Sequence, residues 1–513
     1  MRIWVRTRNS GIAGRFLAPS LGLWLLCLIL PIGIVASVGL ASDWPQFRGP
    51  NGCGVGDASH LPSEFGPEKN VAWKTPVPFG NSSPVISGDL IFITGAEGGL
   101  TTNAPKDEAK RLYDGKLYTL AVNRRTGKIV WQRAAPRNRV TQYQLNNSPA
   151  TPSAVTDGQS VYVFFQDFGL LAYSKDGAER WRLPLGPFNN VNGVASSPIL
   201  YQDLVVLVCD QDSRDSYLLA VDKNTGRVRW KTPRPEAMRS YVTPAVFQPK
   251  DGPAELIVPG PLQVTAYYAA SGEKAWWARG LWWQAKQVPV IDGNTIYALA
   301  ADAGGERNPS KQQELPAFAG LLAKYDANRD GKLSGDELSG DSKMQKLAAE
   351  IDRDGKGFVD ESDWGVFLEQ EAARNNLLAI RHGGHGDVTN TNVIWSMQKN
   401  LSCCTSPLIY QGVMYLIKDG GILTAVDPQT GNILKQGRLT GALDQYYASP
   451  VGAAGKVFFL SQQGKLTVVK AGADWEILAV NDLDEDSYAT PAIIDDKLFV
   501  RTHGTLYCFS DKE

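Results

Sequence analysis

The sequence predicts an all-β fold, a ring of four-stranded propeller blades with a small helical insertion. Three observations predict it: a recurring proline phrase, a tryptophan at fixed spacing after a turn glycine, and a calcium-loop motif that interrupts the period. The phrase is a small hydroxylated or apolar residue, then proline, then an apolar run, with its prolines at Pro84, Pro152, Pro198, Pro244, Pro289, Pro407, Pro450 and Pro491. Successive gaps are 68, 46, 46, 45, 118, 43 and 41 residues. A unit of about 45 residues is the length of one four-stranded blade, so the chain reads as eight units with two insertions.

One unit shows how its strands are predicted. Ser197 to Tyr201 forms the inner strand, Leu204 to Cys209 the second, Tyr217 to Asp222 the third, and Arg227 to Lys231 the outer strand after a turn ending in Gly226. A tryptophan stands four residues past such a glycine at Trp131, Trp181, Trp230 and Trp276, and Trp73 and Trp395 end similar strands. An aromatic on each outer strand is a wedge between neighbouring blades and buries a large area there. The last unit supplies three strands and stops, whereas 70–77 is a strand with no blade before it, so the N-terminus closes the ring and removes a free edge. The organisation expected is an irregular segment at 42–69 packed outside the ring, a first propeller part at 70–305, an insertion at 306–386 and a second propeller part at 387–513.

The insertion carries two loops of EF-hand type. Residues 326–337 place Asp326, Asn328, Asp330, Ser334 and Glu337 at loop positions 1, 3, 5, 9 and 12, with Lys332 giving its backbone carbonyl at 7 and Gly331 making the turn at 6. The second loop, 352–363, offers Asp352, Asp354, the Phe358 carbonyl, Asp360 and Asp363. It departs twice: Lys356 replaces the oxygen ligand at position 5, and Asp363 is one methylene shorter than the glutamate that reaches an ion with both oxygens. The flanks from Leu315 to Tyr325 and from Leu338 to Ile351 carry helical apolar spacing, and loop starts 26 residues apart leave one helix to serve both loops. Calcium is the cofactor these loops predict.

Composition sets the context. The chain has 513 residues with 51 Gly, 30 Pro and 14 Trp, and 52 Lys plus Arg balance 53 Asp plus Glu, so no basic field points to nucleic acid. Residues 1–41 read as an export signal: Arg2, Arg6, Arg8 and Arg15, an apolar run from Leu21 to Val38, then Gly39-Leu40-Ala41. An uncleaved anchor is the alternative, because 18 apolar residues sit at the lower edge of a membrane span. The expectation is an exported monomer, periplasmic or extracellular, that meets a membrane only through that signal. Five cysteines remain after cleavage, and the adjacent Cys403 and Cys404 read either as a vicinal disulfide or as two small buried thiols.

Inner strands of a propeller line its channel, so residues one and three before each proline share a face. This predicts small hydroxyls below a channel mouth made by Asn81, Tyr241, Lys286, Cys404, Tyr447 and Tyr488, with Cys403 adjacent, as the candidate ligand site. Neither ring contains a carboxylate, and no catalytic residue is assigned. Asp444, Glu485 and Asp486 lie a few residues upstream of the ring. His382, His385 and Asp387 read either as a small metal site or as the glycine-rich return from the insertion.

The repeats with Thr-Gly-x-x-x-Trp, together with 255–260 (Glu-Leu-Ile-Val-Pro-Gly), 386–389 (Gly-Asp-Val-Thr), 445–450 (Gln-Tyr-Tyr-Ala-Ser-Pro) and the opening 43–52 (Asp-Trp-Pro-Gln-Phe-Arg-Gly-Pro-Asn-Gly), resemble secreted bacterial propellers built from pyrroloquinoline-quinone-like (PQQ-like) repeats. The resemblance implies an eight-bladed, quinoprotein-dehydrogenase-like propeller, and some such chains carry an EF-hand pair. That family contains quinone dehydrogenases as well as cofactor-free scaffolds such as the outer-membrane assembly-factor propeller. The Cys403-Cys404 pair resembles the vicinal disulfide beside the quinone in some alcohol dehydrogenases. The reading favoured is a non-enzymatic binding or scaffold propeller with a protein or carbohydrate partner and bound calcium. A PQQ-dependent dehydrogenase and a calcium-responsive sensor are the alternatives.

Overall fold

Seven of the repeated prolines stand immediately before an inner strand, which begins at Val85, Ile199, Ala245, Val290, Leu408, Val451 or Ala492. Proline lacks the N–H that a strand interior must donate, so it is tolerated at a strand's head. In the second blade the inner strand starts at Val155, a shift of two residues. The computed structural model describes residues 43–102, 105, 109–213, 215–302, 315–352 and 355–511; the export signal expected at 1–41 and the ligand expected at Asp354 lie outside them.

The described residues form eight blade sheets, seven of four antiparallel strands and one, the fourth blade, extended by a fifth strand. The third blade, for example, runs Ile199–Tyr201, Leu204–Cys209, Tyr217–Asp222 and Val228–Pro233. Second strands such as Ser160–Phe165 and Leu204–Cys209 are buried at every position, because both faces of a blade pack against neighbouring blades. The outer strands Ile129–Ala135 and Glu179–Pro184 are largely exposed, with Trp131 and Trp181 their single buried residues. Val71–Pro76 pairs antiparallel with Thr505–Phe509, joining the two chain ends in the eighth blade.

The tryptophan spacing has a local cause. A bulge in the outer strand sets Trp131, Trp181 and Trp230 opposite Ala121, Ala172 and Ala220 of the third strand and turns each ring toward the next blade. There it covers the turn glycine: a Cβ on Gly177, Gly226 or Gly272 would stand 2.4–2.8 Å from Trp131, Trp181 or Trp230. Trp131 and Trp181 also donate Nε1–H to the Lys175 and Lys223 carbonyls of that turn at 2.7 and 2.8 Å. The motif therefore records a contact between successive blades.

Contrary to the expectation that it packs outside the ring, segment 42–69 runs from Trp44 to His60 across the far ends of the inner strands. Trp44 bridges Ile86, Asn51 exchanges two 2.8 Å bonds with Val246, Arg48 donates to the Pro407 carbonyl, and Gly54 and Gly56 pair with Gly452. Its glycines make this close approach possible, since a Cβ on Gly56 would meet Ile493 at 2.6 Å. The insertion also ends before 386: Asn376–Arg381 pairs with Thr295–Ala300 as the third strand of the fifth blade, because the run after the last inserted helix is apolar and strand-forming. Gly386–Asp387 then adds a parallel fifth strand beside Lys274–Arg279 of the fourth blade.

Inserted helices span Phe318–Tyr325, Ser342–Ile351 and Glu361–Ala372. The middle one starts later than the apolar spacing from Leu338 implied, because Asp341 accepts from the Lys343 and Met344 amides and caps it there. Leu333–Ser334 pairs with Phe358–Val359, tying the two loops together over Phe318, Leu321, Ile351 and Trp364.

Candidate functional site

Asn81, Tyr241, Lys286, Cys404, Tyr447 and Tyr488, separated by up to 407 positions in sequence, all line one axial cavity of about 180 Å³. Phe47 of the N-terminal segment also lines it, so the segment that crosses the far ends of the inner strands closes the cavity on that side. The remaining walls include Gln144, Asn146, Asn147 and Asn192. Sequence reasoning missed all four, and the 68-residue gap was the signal for the first three: the first insertion folds as a three-stranded sheet, Leu100–Thr101, Lys110–Leu112 and Gln142–Gln144, which delivers the 144–147 loop to the mouth, whereas Asn192 comes from the segment between the second and third blades. Asn146 Nδ2 crosses to Tyr447 Oη at 3.1 Å, and Asn192 Nδ2 donates to Tyr241 Oη at 2.7 Å.

The small hydroxyls beneath the mouth are engaged with each other's blades. The Ser83 amide donates to Ser153 Oγ at 2.9 Å, Ser153 to Ser197, and Ser197 to Thr243; past the fifth blade, Val288 donates to Ser406, Ser406 to Ser449, Ser449 to Thr490, and Thr490 back to Ser83 at 2.9 Å. This relay circles the axis. It skips only the step onto Val288, which carries no hydroxyl.

Cys404 lines the cavity, while Cys403, its partner in a thiol pair, is not among the lining residues. Cys403 and Cys404 are free thiols with their sulfurs 3.1 Å apart, and Lys286 Nζ stands 3.2 Å from Cys403 Sγ. The hydrogen bond from Cys404, aided by the Lys286 ammonium, outweighs burial and lowers the Cys403 thiol to about 6; Cys404 is pushed well up, first by that same bond and then by burial. Burial alone would depress Lys286, but the Cys404 and Cys403 sulfurs raise it. The three acids upstream of the ring do not line the cavity: Asp444 accepts from Ser461 Oγ, Glu485 from Thr502 Oγ1 and the Gly504 amide, and Asp486 from Gln462 Nε2; Asp419, which accepts from the Tyr446 amide, lies near enough to raise both thiols. No carboxylate is among the lining side chains.

In the first acidic loop, Asp326 accepts from the Asp330 and Gly331 amides, Asp330 from the Lys332 amide, and Glu337 from the amide and hydroxyl of Ser334. Those Ser334 bonds lower the Glu337 carboxyl below its usual range. Among the described residues no three His, Cys, Asp or Glu side chains converge into a metal-holding group. In the second loop Asp352 accepts from the Lys356 and Gly357 amides, while Lys356 Nζ lies 3.0 Å from Asp360 Oδ2 and 3.3 Å from Asp363 Oδ2. Phe358 stands beneath both the Lys332 and Lys356 ammonium groups, at 4.1 and 5.1 Å.

His382, His385 and Asp387 do not come together. His382 Nε2 faces Glu255 at 3.1 Å with its ring stacked on Phe247, His385 Nδ1 meets the Ala275 carbonyl, and Asp387 pairs with Arg279. Each is committed to joining the fifth blade's return strand to the fourth blade.

Among solved structures, the fold is similar to the crystal structure of BamB from Moraxella catarrhalis, at 12% identity and a TM-score of 0.50 over 86% of this chain and 98% of that one. It is likewise similar to quinohemoprotein alcohol dehydrogenase ADHIIG from Pseudomonas putida HK5, at 11% identity and a TM-score of 0.50 over 91% and 80% of the two chains. Two relatives from Olea europaea match short stretches: Calcium-binding allergen Ole e 8, 33% identical over 84 residues, 14% of this chain and 49% of that protein, and Polcalcin Ole e 3, 36% identical over 64 residues, 11% and 76%. The chain thus spans about half the length of the first of these. The family model described as outer membrane protein assembly factor BamB matches residues 66–248 and 375–513. That match extends over more than half of the sequence, and the chain belongs to this family of PQQ-like β-propellers.

Proposed function

We propose that this chain is an exported, non-enzymatic binding propeller whose axial cavity takes a hydroxylated small molecule or the end of a carbohydrate, with calcium held in the first loop of its helical insertion. The observation that carries the reading is the donor set of the cavity: amides, hydroxyls, phenols and one ammonium, with no carboxylate. A quinone dehydrogenase requires calcium beside its quinone and a base for the alcohol proton. Calcium takes carboxylate oxygens, and the Lys286 ammonium, raised by its sulfur neighbours, is no base at neutral pH. The residues do not fit that cofactor. They do fit a hydroxylated ligand, since amides donate and accept at once, and the buried Asn81 Oδ1 has no protein partner.

Incubation with PQQ and calcium should give no dye-linked alcohol oxidation. Turnover that disappears when Cys403 and Cys404 are replaced would establish the dehydrogenase instead. Asn81→Ala should weaken saccharide binding about tenfold, the effect of losing roughly 1.4 kcal/mol, as read by calorimetry.

Similarity to a relative described as a calcium-binding allergen supports the metal assignment. The first loop supplies Asp326, Asp330 and Glu337 with neutral Asn328 and Ser334, and the Lys332 carbonyl and a water complete a seven-oxygen shell. Extracellular modules bind calcium at about 10⁻⁴ to 10⁻³ M, so where ambient calcium is comparable or higher the ion is a structural part of the insertion. Glu337→Gln should abolish the calorimetric signal of that site in the full chain.

A further inference from the structure

We infer that the second loop carries its own cation: the Lys356 ammonium stands where a metal ion would, so the half of the helical pair that docks on the propeller forms without calcium. The inference rests on the calcium reading of the first loop only for its contrast between the two halves.

The two loops wrap in the same way. Asp326 accepts from the amides at loop positions 5 and 6, those of Asp330 and Gly331, at 3.2 and 3.0 Å; Asp352 accepts from the equivalent amides of Lys356 and Gly357 at 2.9 and 2.7 Å. At position 5 they diverge. The first loop presents the Asp330 carboxylate, whereas the second sends an ammonium inward to the carboxylates of positions 9 and 12, Asp360 and Asp363. Asp363 is 3% exposed, and a buried carboxylate needs a fixed positive partner. Lys356 is tethered four residues from Asp360, at an effective concentration in the millimolar range or above, so a dication must displace a partner that never diffuses away. Among the described residues the first loop shows no such competitor: its lysine, Lys332, sits at position 7 and rests on the Phe358 ring.

The position of the second loop gives this substitution its consequence. Asp360 and Asp363 form the capping box of the helix Glu361–Ala372, which contacts the propeller. Its Glu369 pairs with Arg279 at 3.1 Å, Gln370 Nε2 meets Met238 Sδ at 3.2 Å, and Phe367 faces Pro235 and Met238 across a small gap. An internal cation at the head of this helix holds the docked element whatever the ambient calcium. Calcium then orders the outer loop and leaves the attachment untouched.

Calcium calorimetry on the full mature chain should give one site, lost in Glu337→Gln, and Lys356→Asn, which puts an amide oxygen at position 5, should gain one more. Two sites in the unaltered chain, or no gain in Lys356→Asn, overturns the inference. No site in the unaltered chain with one gained in Lys356→Asn sinks the first-loop reading and leaves this one standing. Amide exchange gives an independent measure if Lys356→Asn does not fold. In chelator the amides of Glu361–Ala372 should stay protected in the unaltered chain and lose protection at least tenfold in Lys356→Gln. Loss of their protection on chelating the unaltered chain overturns the inference.

Discussion

Cys403 owes its acidity to two neighbours, the Cys404 thiol that donates to it and the Lys286 ammonium beside it, which together overcome burial and bring it to about 6. A thiolate is the reactive form, so alkylation by iodoacetamide should rise with pH through a midpoint near 6, with mass spectrometry placing the adduct on Cys403. Lys286→Met removes one of the two supports and should move the midpoint upward. A midpoint already at the ordinary thiol value of about 8.5 in the unaltered chain contradicts the arrangement. The turn glycines make a second argument at this scale. Gly226 has φ 70° and no room for a Cβ against Trp181. Gly226→Ala therefore combines left-handed backbone strain with a wedge clash, and should destabilise by about 1–3 kcal/mol, measured by denaturant unfolding; Gly455→Ala, also at positive φ but with nothing within 4 Å, should cost less.

Among the elements, the inner strands are joined by side chains as well as by sheet packing. Each hydroxyl in the axial relay accepts a buried amide from the preceding blade, which explains why small hydroxylated residues recur before the prolines. Ser83 accepts from Thr490 and so links the eighth blade to the first. Ser83→Ala leaves that amide buried without a partner and should cost about 1–3 kcal/mol. Ser83→Thr, which keeps the acceptor, should recover part of the loss in thermal unfolding, and equal losses in the two variants would show that packing and not the hydroxyl is responsible. In the second blade Ser153, one residue after the proline, takes the place that Thr151 was expected to fill, in keeping with that blade's two-residue shift.

For the whole molecule, closure depends on Val71–Pro76 completing the sheet of Thr505–Phe509, reinforced by the fully buried Arg501, which donates to the Ser82 and Pro78 carbonyls of the first blade. Deleting 70–77 exposes a strand edge, and the expected result is aggregation or loss of a single cooperative unfolding transition by size exclusion and calorimetry. A monomer of unchanged stability would refute closure by this strand. The N-terminal segment ties opposite sides of the ring together from the axis, touching blades as far apart as those of Ile86, Val246 and Gly452.

The blades were legible in the sequence because a propeller blade is a local unit: its strands are consecutive, its turn glycine and tryptophan lie four residues apart, and the period repeats both. The acidic loops were legible for the same reason, each being twelve contiguous residues. Register along the inner strands was enough to group Asn81, Tyr241, Lys286, Cys404, Tyr447 and Tyr488 around one axis, since alternation fixes which side chains share a face. Three features depended on contacts that no period encodes. Segment 42–69 has no alternation, so only the assembled ring shows that it closes the cavity; Gln144, Asn146 and Asn147 reach the mouth because an inserted sheet folds back over it. At Lys356 the sequence recorded a missing oxygen, and only the folded loop decides that the ammonium turns inward, because a long flexible side chain takes the direction of the carboxylates that folding gathers around it.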